Sequence, residues 1–94
     1  MARIGAETLQ QLGGLLVRLR LLDGLTEKSP GVFYSRRIPM LHFHEGEGGP
    51  VADLKRLPPE SGFDRFDAAS NTAQTALLTE VTRRVGQLQR KGAT

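Results

Sequence analysis

Leu9, Leu12, Leu16 and Leu19 recur at helical spacing, with Leu15 and Leu22 beside them. A single apolar stripe of this kind predicts a helix lying on a core. Gly13 and Gly14 interrupt its middle. Each costs about 1 kcal/mol relative to alanine, and the pair marks either a close approach to a sheet or a kink. The helix is expected to end near Asp23-Gly24, with Gly24 as a C-cap. "TEKSPG" reads as a loop. The apolar period then shortens to two through "VFY", "PMLHFH", "VADL" and "FDRF", each bounded by Gly or Pro, which predicts short strands. "EGEGG" reads as a turn. "KRLPPESG" reads as a loop, because Pro58 and Pro59 cannot both sit in a central strand. Helical spacing returns in Leu77, Val81, Val85 and Leu88, with Leu78 flanking. Asn71 and Gln74 predict a capping box ahead of it. Arg83, Arg84, Arg90 and Lys91 occupy the second half, where cations suit the helix dipole, and the final "KGAT" is expected to fray. The order α-β-β-β-β-α predicts one α+β domain over residues 1–94. Its antiparallel sheet of three to four strands carries the N- and C-terminal helices on one face.

The strand period also sorts the polar residues. Leu41 and Phe43 point to one face; Met40, His42 and His44 point to the other. Centring the hairpin on "GEGG" pairs Phe43 with Ala52 and Leu41 with Leu54. On the opposite face it sets His42 against Asp53 and Met40 against Lys55. A slip by one strand repeat would bring His44 opposite Asp53 instead, whereas a one-residue slip would turn an apolar face outward. Directly opposed side chains have Cβ atoms about 4.5–5.5 Å apart, so an imidazole stands near a carboxylate.

Three readings of that face stay open. His42, His44 and Asp53 are partly exposed sheet residues with one cross-strand pair. Alternatively, the two imidazoles with Asp53 or Glu45 bind a divalent metal, a donor set that suits zinc, nickel or iron. A His42–Asp53 couple could also serve in acid–base chemistry. No nucleophile accompanies that couple, because Ser35, Ser61 and Ser70 lie in turn or cap contexts, and no catalytic residue is assigned. The spacing from His44 to Glu45 is too short for the cupin metal motif, and a further histidine is missing.

Ninety-four residues bury roughly 60–65% of the unfolded chain's surface, enough for one sheet and a couple of helices. The absence of cysteine excludes disulfides, thiolate zinc sites and cysteine nucleophiles, and fits a cytoplasmic setting. "MARIGAETLQQL" lacks the pattern of a signal peptide, and the longest apolar stretch is broken by Arg18 and Arg20, so no membrane association is expected. The net charge of +3 is scattered. If the hairpins align, Arg36-Arg37 and Lys55-Arg56 could lie near one edge of the sheet and meet a phosphate or an acidic partner, although basic residues there also protect sheet edges. No phosphate-binding loop or other cofactor motif is present.

"SPGVFYSRRIPMLHFHEGEGGPVADLK", followed by "FDRF" and a capped helix, resembles a group of small uncharacterised bacterial proteins with an "LHFHE…ADLK" hairpin. The resemblance covers about two thirds of the chain. It implies a compact α+β domain with no established activity. Ser29-Pro30-Gly31-Val32 is similar to the turn that precedes the sheet in MmcQ/YjbR-type α+β domains. The combined reading is a binding or interaction module rather than an enzyme, with a protein partner or a second copy of itself. A divalent metal at His42, His44 and Asp53 is the alternative, and nucleic acid at Arg36, Arg37, Lys55 and Arg56 the second alternative.

Overall fold

The computed structural model describes residues 4–92. Its elements are α1 (Ala6–Gln11), α2 (Gly13–Arg20), β1 (Thr26–Ser29), β2 (Val32–Ser35), β3 (Ile38–Gly46), β4 (Gly49–Lys55), β5 (Phe63–Asp67) and α3 (Asn71–Gly92). The sheet is an antiparallel meander in the order β1-β2-β3-β4-β5. The α+β class and the terminal helices are as the periodicity predicts. The strand count is five rather than three to four. "TEKS", read as loop, is an edge strand; Thr26, Lys28 and Ser29 are exposed, so it lacks the apolar alternation by which strands are recognised.

One core joins the helices to the inner face of the sheet. Leu12, Leu15, Leu16 and Leu19 from the N-terminal helices meet Phe33, Leu41, Phe43, Ala52 and Leu54, with Leu77, Val81 and Val85 of α3 completing it. The N-terminal helical stretch breaks at Leu12, which is itself fully buried. Side chains added at Gly13 or Gly14 would meet nothing, so these glycines mark the kink rather than a close approach. Helix α2 ends at Arg20 with Leu21 as C-cap, earlier than expected, and Gly24 takes its positive φ in the turn beyond. The α3 cap also shifts. Ser70, not Asn71, accepts the Ala73 N–H through its Oγ, and Gln74 donates its side-chain amide to the Ala68 carbonyl instead of closing a capping box. The helix continues through Gly92; Ala93 and Thr94 lie outside the described residues.

The β3–β4 register is the one the alternation predicts: Leu41 opposes Leu54, His42 opposes Asp53 and Phe43 opposes Ala52. Met40 departs from it. Between β2 and β3 the register shifts, so that Phe33 faces Leu41 while Tyr34 faces Pro39. Proline has no N–H for the ladder, and the resulting bulge turns Met40 inward, where it is fully buried instead of facing Lys55. Glu47 and Gly48 close the hairpin. A Cβ at Gly46 would stand 2.7 Å from the Gly49 carbonyl oxygen, and one at Gly49 2.8 Å from the Ala69 Cβ, so neither position accepts a side chain without displacement.

Arg84, read from sequence as a helix-dipole cation, is buried and ties α3 to the sheet. Its Nη1 donates to the Lys55 carbonyl at 3.0 Å, its Nη2 to Asp64 at 2.8 Å and its Nε to Glu80 at 2.8 Å. Its guanidinium also lies over the Phe66 ring. No helix among the described residues is long and apolar enough to cross a membrane.

Replacing Arg84 with methionine keeps much of the volume but leaves the Lys55 carbonyl and the Asp64 Oδ2 without this donor, while Arg56 still holds Asp64 Oδ1. The expected loss is about 1–3 kcal/mol, read as a lower denaturation midpoint at unchanged m-value. An unchanged midpoint would show that α3 is held by apolar packing alone. Acid should act on the same network. Arg83 first, and Arg84 after it, pull the Glu80 carboxyl from its ordinary 4.5 down to about 2. A depressed carboxyl contributes stability that is complete above 4.5 and is lost as pH falls toward 2. Glu80→Gln should flatten the fall in melting temperature across that window.

Candidate metal centre on the outer sheet face

Alternation puts His42 and His44 of β3, Asp53 of β4 and Arg65 of β5 on the sheet face away from the helices, where each remains at least partly exposed. Asp53 stands opposite His42 on one side and Arg65 on the other. His44 opposes Val51, so the slipped register is not adopted, yet its ring still reaches Asp53 along the diagonal. Nε2 of His44 lies 3.0 Å from Oδ2 of Asp53, and Nε2 of His42 lies 3.4 Å from the same oxygen. The imidazoles meet edge to face at 4.6 Å between centroids, and Phe63 packs against His42 at 5.2 Å.

Two features separate this cluster from an ordinary cross-strand pair. One donor atom from each of His42, His44 and Asp53 falls within 4.8 Å of the others. In addition, the His44 Nε2 is buried without a hydrogen-bond partner among the described residues. Its approach to Oδ2 is short, but the ring N–H direction does not follow it. A buried polar atom in this state calls for an explanation. Ligands held about 2.0–2.2 Å from one ion stand roughly 2.8–3.6 Å from one another, and both contacts to Oδ2 fall in that range.

Electrostatics keep the donors in usable forms. The Arg65 guanidinium, hydrogen-bonded to both Asp53 oxygens at 3.0 and 3.2 Å, holds that carboxyl below its ordinary range. Burial pushes His42 below its ordinary value, helped by the neighbouring His44 and Arg65 and opposed by Asp53. The net lowering favours the neutral ring, the form in which an imidazole binds a metal.

Glu45 does not belong to the cluster. Its carboxylate accepts the Gly5 N–H and the Thr8 hydroxyl, both at 2.8 Å, and so secures the start of α1. Arg36 and Arg37 form the β2–β3 turn, and Lys55 and Arg56 end β4 at the same end of the sheet. Arg56, however, is bound to Asp64 at 2.8 Å and to the Ser61 carbonyl, and the Lys55 ammonium lies over the Phe63 ring, so that among the described residues Arg36 and Arg37 are the cations there without a recorded partner. Arg65 was not singled out from sequence. The alternation in "FDRF" puts it on the face of Phe63, but the loop before β5 leaves the partner strand and register undetermined. Beside the cluster lies a concavity of about 510 Å³, lined by Val32, Tyr34 and Pro39 of the sheet, Ile4 and Leu9 near α1, and the two imidazoles.

No family model matches the chain, and neither the curated proteins nor the solved structures contain a match.

The opposed influences on His42 give a test of the arrangement. In metal-free protein, Asp53→Asn should lower the His42 pKa further, while Arg65→Ala should raise it. Ring C–H resonances followed by NMR against pH read both shifts. Movement in the same direction in the two variants would show that the three groups are not neighbours in solution.

Proposed function

We infer that this chain is a small binding module, not an enzyme, and that what it binds is a divalent transition-metal ion held by His42, His44 and Asp53. The observation that carries the reading is the His44 Nε2, buried without a hydrogen-bond partner among the described residues and close to a carboxylate oxygen that also lies near His42. Two imidazoles and one carboxylate suit zinc, nickel, iron or copper rather than calcium or magnesium, which take mainly oxygen. Arg65 acts as the positioning residue. Its fork fixes the Asp53 rotamer and leaves Oδ2 turned toward both rings. Outer partners of this kind set ligand orientation. A cytoplasmic setting fits a chain without cysteine.

Zinc or nickel titrated into the metal-free protein should shift the ring resonances of His42 and His44 saturably, and EDTA should reverse the shifts. Melting temperature should rise with free metal, by the equivalent of about 2.7 kcal/mol at roughly a hundred times Kd. His44→Ala and Asp53→Ala should each weaken binding by at least about 10–100-fold while leaving the metal-free protein folded. Unmoved resonances at both rings would end the reading. The outer face would then be a surface for a protein partner or a second copy of the chain. Affinity for nucleic acid that falls steeply with salt and depends on Arg36, Arg37 and Lys55 would instead favour the basic end of the sheet.

A further inference from the structure

We propose, resting on the metal reading above, that the bound ion serves as the anchor for a small monocarboxylate with an apolar body, such as a short- to medium-chain fatty acid. The carboxylate head completes the ion's coordination beside Arg65, and the apolar body lies in the concavity that His42 and His44 share with the cluster.

Charge is the first argument. A divalent ion and the Arg65 guanidinium face a single protein carboxylate, Asp53, so the loaded site carries two uncompensated positive charges. Three protein donors also leave at least one coordination position open. An anionic ligand answers both conditions. Arg65 is suited to assist it. Its side chain is 66% exposed, its Nε and Nη2 are engaged by Asp53, and its Nη1 donates to no described residue. A guanidinium with a free edge matches a carboxylate in geometry as well as charge.

The second argument concerns what lies next to the ion. The rings of His42 and His44 line both the cluster and the concavity. Its volume of about 510 Å³ falls within the roughly 300–1,000 Å³ of small-molecule sites. Val32, Pro39, Ile4 and Leu9 make the lining mainly apolar, and among the described residues no lysine, arginine, aspartate or glutamate contributes to it. Charge is therefore confined to the cluster, and the neighbouring space suits hydrocarbon. A ligand charged at both ends would place its second charge against apolar walls, which disfavours a dicarboxylate.

Isothermal titration of the full chain tests this with zinc, hexanoate, acetate and hexanol as probes. Zinc is first titrated alone, which decides the metal reading by itself. With zinc bound, hexanoate should bind about 5–150-fold more tightly than to the metal-free protein, and by linkage should tighten zinc by the same factor. Acetate and hexanol should each bind at least about tenfold more weakly than hexanoate. Arg65→Gln, which also frees the Asp53 carboxylate, should weaken zinc by about 10–100-fold, and at zinc concentrations that still saturate the variant it should lose most of the hexanoate–zinc coupling. Val32→Phe, which fills the concavity, should lose hexanoate but keep both zinc and acetate. Zinc binding with hexanoate no tighter than acetate, or coupling unaltered in both variants, would overturn the proposal and leave the metal reading standing. Failure of zinc to bind alone would overturn both.

Discussion

The Asp53 carboxylate organises the outer face because His42, His44 and Arg65 are all arranged around it. It takes a bidentate fork from Arg65 and stands within 3.4 Å of one imidazole and 3.0 Å of the other. An ionised carboxylate between two rings and a guanidinium draws three adjacent strands into one electrostatic unit. That unit exists only because the β3–β4 hairpin closes in a single register. The same register sends Leu41, Phe43, Ala52 and Leu54 into the core and His42, His44 and Asp53 to the opposite face. Core and site are two consequences of one pairing, since a one-residue slip would exchange them.

The two faces are secured differently. The inner face is held by leucine, valine and phenylalanine, whose burial is non-directional, and by Arg84, whose hydrogen bonds are directional. Arg84 donates to a β4 carbonyl and to Asp64 on β5, and so limits how those strands and α3 can shift against one another. On the outer face the N-terminal segment reaches the cluster only at its margin, where Ile4 and Leu9 line the concavity that the imidazoles share. Asp53 is satisfied by Arg65, whereas the His44 Nε2 is buried without a hydrogen-bond partner among the described residues. A binding site on such a face is pre-formed by the sheet rather than assembled by loops, which favours positional accuracy over adaptability.

Several residues show why local pattern falls short. Met40 alternates correctly for the outer face, yet Pro39 breaks the ladder and a bulge rotates it inward. Glu45 follows the two histidines as a third ligand would, but alternation sends it to the opposite face, where α1 claims it. Arg84 looks like any cation in the second half of a helix, and only the position of β4 beneath it reveals a buried hydrogen-bonding role. The last two cases depend on neighbours distant in the chain, and such neighbours leave no trace in spacing.

From the sequence by itself came the α+β class, the terminal helices, four of the five strands and the opposition of His42 to Asp53. All of these rest on short-range periodicity and on one hairpin with an unambiguous glycine turn. The tertiary structure alone decided the polar edge strand β1, the break at Leu12, the bulge at Met40 and the recruitment of Arg65 to Asp53. The reason is physical. Alternation determines which way a side chain points relative to its own strand. Which strand lies alongside, and at what register, is set by loops and long-range packing whose free energies are not local.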